Sequence, residues 1–183
     1  MSQLNALFQH LQLNTAAEQA YRQMLQQLFS TLQNLPRPVV IGISGAQGSG
    51  KSTLAAMLAQ MFSATGCNAA AVSLDDYYLS KAQRRQLAEN VHPLLAQRGV
   101  PGTHNIAQAL ADARAVLARE PVALPQFDKA LDEPAATLPA QTLDILIVEG
   151  WCLGVTAQTE AELATPVNEL EAHEDSSGRW RRY

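Results

Sequence analysis

Gly45-Ala46-Gln47-Gly48-Ser49-Gly50-Lys51-Ser52 fits the phosphate-binding pattern G-x-x-x-x-G-K-[ST]. What flanks it gives the pattern its meaning. Before it runs Val39-Val40-Ile41-Gly42-Ile43-Ser44, a short apolar, β-branched run that reads as a buried strand. After it runs Thr53-Leu54-Ala55-Ala56-Met57-Leu58-Ala59-Gln60-Met61-Phe62, which reads as a helix. Strand, glycine loop and helix together form an anion cradle, in which backbone N–H groups converge on phosphate oxygens and the helix N-terminus adds about half a positive charge. The cradle is assigned to Gly45, Gln47, Gly48, Ser49, Gly50, Lys51, Ser52 and Thr53. Lys51 would reach the β- and γ-phosphates and Ser52 would hold Mg²⁺.

Outward from the loop, further strands are expected. Asn68-Ala69-Ala70-Ala71-Val72-Ser73-Leu74 runs into Asp75-Asp76-Tyr77-Tyr78, and Leu143-Asp144-Ile145-Leu146-Ile147-Val148 runs into Glu149-Gly150. Between them, residues 81 to 97 read as a short helix and a loop, and Arg98 to Gly102 as a turn. Thr103 is expected to open a helix with Ile106, Ala109, Leu110, Ala113 and Leu117 on one apolar face. Pro121 to Pro139 reads as irregular, and the segment from 157 as helix and loop with a basic end. The order β–loop–α–β–α–β predicts an α/β fold, a three-layer parallel sheet of the P-loop NTPase type. Residues 1 to 35 are expected to be a helical segment packed on a domain spanning 36–183. Thr15-Ala16-Ala17-Glu18 reads as its capping box, and Tyr21, Met24, Leu25, Leu28 and Leu32 recur at helical spacing.

Ligands of such sheets sit beyond the carboxyl ends of the strands. The three strands lead into Gly45, Asp75 and Glu149, so a phosphate loop and two carboxylates should meet at one edge. Phosphoryl transfer needs a phosphate cradle, a metal anchor and a group that positions the attacking oxygen. Lys51 and Asp75 are the candidate catalytic residues, with Asp75 as base toward a substrate hydroxyl. Ser52 and Glu149 are the candidate metal anchors. Asp76 fits a turn cap equally well. On the substrate side stand Arg98, His104, Asp128 and Lys129, where a cation could pair with a carboxylate or phosphate on a small acid. Thr103 or Asn105 could instead simply cap a helix.

The 183-residue chain carries a net charge of −4 and a pI near 5.5, which argues against a general nucleic-acid binder. No run of about eighteen apolar residues is present, so no membrane span is expected. The N-terminus lacks the basic start of a signal peptide. Cys67 and Cys152 read as free thiols in a reducing cytoplasm, and the four histidines show no metal-ligand spacing.

Several segments taken in order resemble one family. They are Gly45 to Thr53, Ser73-Leu74-Asp75-Asp76-Tyr77-Tyr78-Leu79, Arg98-Gly99-Val100-Pro101-Gly102-Thr103-His104, Pro125-Gln126-Phe127-Asp128-Lys129, and Val148-Glu149-Gly150-Trp151-Cys152-Leu153-Gly154. Residues 38 to 155 are thereby similar to the plant-type glycerate kinases and their bacterial and fungal kinase-like relatives. That group belongs with uridine kinase, phosphoribulokinase and bacterial pantothenate kinase. The resemblance implies an ATP- and Mg²⁺-dependent kinase acting on a hydroxyl of a small acidic or polyhydroxy metabolite, glycerate or a related acid. It also implies a base at Asp75, a metal role for Glu149, and substrate-side positions for Tyr78, His104, Asp128 and Lys129. After Phe127-Asp128-Lys129 the plant-type enzymes carry a glycine- and arginine-rich stretch, where this chain reads Ala130-Leu131-Asp132-Glu133-Pro134. Relatives continue past the third strand with further strands, an arginine-bearing lid and an adenine-contacting loop, so a chain truncated at its C-terminus is expected. The alternative is a P-loop NTPase or nucleotide-binding module without a small acceptor. A GTPase would want N-K-x-D, which does not occur, and D-x-x-G where Glu149-Gly150-Trp151 stands.

Overall fold

The computed structural model describes Phe8 and residues 14–183. The rest of the helical segment expected before residue 14 lies outside the described residues. Helix α1, Thr15–Leu32, starts one residue earlier than its apparent capping box: Asn14 is the cap and accepts the Ala17 N–H at 2.9 Å. Glu18 is thereby free to pair with Arg22 one turn on, at 2.7 Å.

Three parallel strands follow, β1 (Val39–Ser44), β2 (Ala69–Ser73) and, later in the chain, β5 (Ile145–Gly150). Their order is β1-β5-β2, so the last strand lies at the centre. The apolar run of β5 fits this place: Ile145, Leu146 and Ile147 are fully buried, as both faces of a central parallel strand require. Side chains alternate between two cores. Ile145 and Ile147, with Val39, Ile41 and Ile43, meet α1 and helix α2 (Lys51–Ser63), where Leu25, Met57, Leu58 and Phe62 are buried. Leu146, with Val40, Val72 and Val148, meets Tyr77, Val116, Val122 and Leu124 on the other face. Each such buried side chain contributes about 1.5–3 kcal/mol. The three-layer parallel α/β arrangement is thus present.

Helix α3 (Lys81–Asn90) opens on a Ser80–Gln83 capping box, and a 3₁₀ turn at Pro93–Ala96 follows. Helix α4, Ile106–Leu117, begins at Asn105 rather than Thr103, because the Asn105 side chain accepts the Gln108 N–H. Its inward face also differs from the expected one. Ile106, Leu110 and Leu117 are about half exposed (48%, 49% and 54%), while Asp112 and Val116 are buried. A polar anchor turns the helix: Asp112 accepts the Tyr77 hydroxyl at 2.9 Å and the Gln108 amide at 2.6 Å. Counting apolar residues alone misses a buried carboxylate that is satisfied by hydrogen bonds.

The stretch expected to be irregular contains a short antiparallel hairpin, β3 (Phe127–Asp128) and β4 (Glu133–Pro134). Its tip is tied down by cations from α3 and the following turn. Asp132, at φ 58°, accepts Arg84 at 2.6 Å and Arg98 at 2.7 Å, and Lys81 donates to the Leu131 carbonyl. Beyond β5 come the short helices α5 (Glu160–Leu163) and α6 (Glu169–Glu174). The basic end folds back through Asp175, which accepts the Trp180 and Arg181 N–H groups, and Trp180 stacks on His92.

Candidate active site

The loop between β1 and α2 owes its shape to its glycines. Gly48 and Gly50 sit at φ 77° and 83°, a region that L side chains avoid. A Cβ on Gly45 would stand 2.9 Å from the Ser49 hydroxyl, so a side chain there would crowd the loop. Lys51 and Ser52 open α2, where the first N–H groups of a helix have no partner within it. Parallel register sets Ser73 of β2 and Ile43 of β1 beside Glu149. The carboxyl ends of all three strands therefore open onto one cavity of about 1250 Å³, lined among others by Gly45, Gln47, Gly48, Lys51, Ser52, Asp75, Tyr78, Arg98, Lys129, Glu149 and Trp151.

Glu149 is 4% exposed. Its Oε1 accepts the Ser52 hydroxyl at 2.7 Å, and its Oε2 lies 3.9 Å from the Lys51 ammonium. Oε2 is buried without a hydrogen-bond partner. A buried carboxylate oxygen left open beside a serine hydroxyl is a donor set that suits a hard divalent cation. Among the described residues no group of three or more His, Cys, Asp or Glu side chains forms a metal cage.

Asp75 lies on a 3₁₀ turn, Leu74–Tyr77, that directly follows β2. Its Oδ2 is 2.8 Å from Lys129 Nζ. Burial pushes the Asp75 carboxyl up, but the Lys129 ammonium, with the Tyr78 hydroxyl and His104, outweighs it and holds the group below the usual carboxylate range. Asp76 serves the backbone instead. It closes a capping box with Ser73 and accepts the Phe127 N–H, which docks the hairpin. Burial pushes its carboxyl up. Tyr78 is buried, and its ring stacks on His104 at 4.3 Å. Burial and the neighbouring Asp75 raise the Tyr78 phenol, so it stays a donor. Burial lowers the His104 imidazole, against the pull of Asp75, and its Nε2 has no hydrogen-bond partner.

Of the substrate-side candidates, Tyr78, Arg98 and Lys129 line the cavity, while His104 and Asp128 do not. His104 stands behind Tyr78 as its stacking support. Asp128 is turned into the hairpin, where Oδ1 accepts the Ala130 and Leu131 N–H groups. Arg98 is partly committed, donating to Asp132 and to the Lys129 carbonyl. Trp151 lines the cavity at 45% exposure and is not among the residues expected from sequence, though a tryptophan directly after a strand-end Glu-Gly is a usable signal. Arg84 and Asp132 give no such signal, because their pairing spans 48 residues.

Residues 22–93 match the protein-family profile described as Zeta toxin. The chain is 36% identical over 131 residues to the "Uncharacterized kinase mug58" of Schizosaccharomyces pombe, covering 64% of this chain and 47% of that one. It is 29% identical over 167 residues to the chloroplastic D-glycerate 3-kinase of Arabidopsis thaliana, covering 80% and 36% respectively. The solved D-glycerate 3-kinase of Cryptococcus neoformans var. grubii superposes with a TM-score of 0.56 at 24% identity, over 93% of this chain and 61% of that one. The chain has the P-loop kinase fold. It spans about half the length, or less, of the curated relatives it matches. Among the described residues no helix is long and apolar enough to cross a membrane.

Proposed function

We propose that this P-loop protein is a kinase that transfers the γ-phosphoryl group of ATP to a hydroxyl of a small acidic metabolite, such as glycerate or a related acid. The observation that carries the reading is the shared cavity: the phosphate loop, Glu149 and Asp75 face it from three adjacent strand ends. A phosphate cradle alone would serve any NTPase. A carboxylate on the turn after β2, across β5 from the loop and beside cations that suit an acid, adds an acceptor side.

In this reading the Gly45–Ser52 backbone and Lys51 hold the triphosphate. Ser52 and Glu149 would hold Mg²⁺, which when bound screens the phosphate charge. Asp75 accepts the proton of the acceptor hydroxyl as that oxygen forms its bond to the γ-phosphorus and the bond to the β-phosphate oxygen breaks. Lys129, Arg98 and Tyr78 orient the acceptor, with Lys129, at 61% exposure, the most accessible cation for its acidic group, in exchange for Asp75. Residues 36–183 would form the catalytic unit, with helix α1 attached ahead of it. The free thiols Cys67 and Cys152 suit a reducing compartment such as the cytoplasm.

The test is an acceptor screen with ATP and Mg²⁺, covering glycerate, other sugar acids, nucleosides and pantothenate, run on wild type and Asp75→Asn. The expected result is transfer to an acidic acceptor by wild type, with a loss of about 10²–10⁴-fold in the variant and ATP binding retained. Normal turnover by Asp75→Asn would remove the base, and hydrolysis independent of any acceptor would favour a plain NTPase.

A further inference from the structure

Helix α1 precedes the phosphate loop by a whole connection, and its sequence reads only as a packing helix. Yet Tyr21 sends its hydroxyl 29 residues ahead to the Gly50 carbonyl, at 3.1 Å. That carbonyl already accepts the Leu54 N–H at 2.9 Å, the first bond of α2, so the tyrosine fills its second acceptor position. Gly50 is the N-cap of α2 at φ 83°. An added Cβ there would meet the Tyr21 oxygen at 3.5 Å, within van der Waals contact. The Tyr21 ring is itself held edge-on by Phe8, at 6.2 Å between centroids.

Peptide geometry gives this bond a consequence. The Gly50 C=O and the Lys51 N–H belong to one planar trans unit and point in opposite directions. A hydroxyl anchored on the carbonyl therefore fixes the aim of the N–H. That N–H is the first of α2 and has no partner within the helix. It is one of the groups on which an anion at the loop depends. The Leu54 bond holds this carbonyl from the helix side, and glycine at position 50 brings no side chain to restrict the peptide from the loop side, so the tyrosine adds a second restraint.

We propose that Tyr21 is a positioning residue of the phosphate cradle: it orients the Gly50–Lys51 peptide and so strengthens triphosphate binding. This rests on the nucleotide-binding part of the proposed function and on nothing about the acceptor. It makes α1 a working part of the nucleotide site rather than a packing element.

The experiment is calorimetric titration of wild type and Tyr21→Phe with Mg²⁺–ATP and, separately, with tripolyphosphate. Phenylalanine keeps the ring on Phe8 and removes only the hydroxyl. The expected result is affinity weaker by about 3- to 10-fold for both probes, the value of one hydrogen bond, because the lost orientation acts on phosphate. Equal ATP affinity in wild type and variant overturns the proposal. So does a loss for ATP with none for tripolyphosphate, which would put the effect on the nucleoside and not on the phosphates. Tyr21→Leu is the second hydroxyl-free variant and must show the same paired losses. Failure of both variants to fold would make Tyr21 a core residue and overturn the proposal. Wild type that binds ATP but phosphorylates no acceptor would remove the kinase reading and leave the tether standing. No ATP binding by wild type would remove both.

Discussion

Lys129 holds its ammonium nitrogen 2.8 Å from Asp75 Oδ2, across 54 residues of sequence. The base candidate and the most exposed cation of the cavity are thus each other's partners before an acceptor arrives. An acceptor bearing a carboxylate or phosphate competes for the same lysine, and its arrival would leave Asp75 facing the hydroxyl.

Removing the lysine should change the pH dependence. Lys129 holds the Asp75 carboxyl ionised down to lower pH than usual. Without it, burial acts unopposed by that charge and the carboxyl takes up its proton at higher pH. Lys129→Met should therefore shift the acid limb of the kcat/KM profile upward, so that the ratio of rates at pH 5 and pH 8 falls several-fold. A profile that matches wild type would show that the pair does not set the acid limb.

Glu149→Gln keeps an acceptor for the Ser52 hydroxyl while neutralising the open Oε2. The fold should stand and the Mg²⁺ requirement should rise by at least about tenfold, in line with losses seen when metal-site partners are altered. Turnover measured against Mg²⁺ concentration, with Tm as control, checks this. An unchanged Mg²⁺ dependence would place the metal elsewhere.

The hairpin tip depends on Asp132. Arg84 is 1% exposed, and Asp132 is its carboxylate partner. Asp132→Ala leaves that buried guanidinium with only the Leu79 carbonyl and no carboxylate, a change that costs about 3 kcal/mol, the lower end for a broken buried pair, because Asp132 itself is partly exposed. Urea unfolding measures the loss. Transfer activity should fall further than stability alone explains, since Arg98 also ties the Lys129 backbone to this tip.

His104 should make stability fall in mild acid. Burial holds its folded pKa below the ordinary value. As pH drops below about 6.5, the unfolded chain takes a proton that the folded chain resists, so stability declines until the folded pKa is reached. Asp75 and Asp132 act with the same sign but in a lower window, since their carboxyls are held below the usual range and their contribution disappears only as those groups protonate. His104→Asn should flatten the slope between pH 7 and pH 5 in urea unfolding. A slope equal to that of wild type would assign the decline to other groups.

Residues that signal locally were legible. The glycines of the loop, the β-branched run before it and the apolar run of β5 each carry their structure within a few positions, because steric freedom and burial act residue by residue. The face of α4 was not legible. Ile106, Leu110 and Leu117 look like a core stripe, and only the tertiary partner Tyr77 explains why Asp112 goes inward instead. The hairpin was hidden for a related reason. Its two strands are two residues each, and it is held by Asp76, Arg84 and Arg98 from distant elements rather than by its own propensity.

By itself the sequence determined that a glycine loop of the phosphate-binding pattern stands between a strand and a helix, and that Asp75 and Glu149 follow strand-forming runs. Those are consequences of backbone sterics and of burial along short stretches. Tertiary structure decided the rest: that β5 inserts between β1 and β2, that Asp75 meets Lys129 while Asp128 turns away, and that Tyr21 grips the loop from behind. The strand order, the Asp75–Lys129 pair and the Tyr21–Gly50 bond join residues far apart in the chain through packing on both faces of one sheet, and no local pattern encodes them; Asp128 is held locally, by the N–H groups of Ala130 and Leu131.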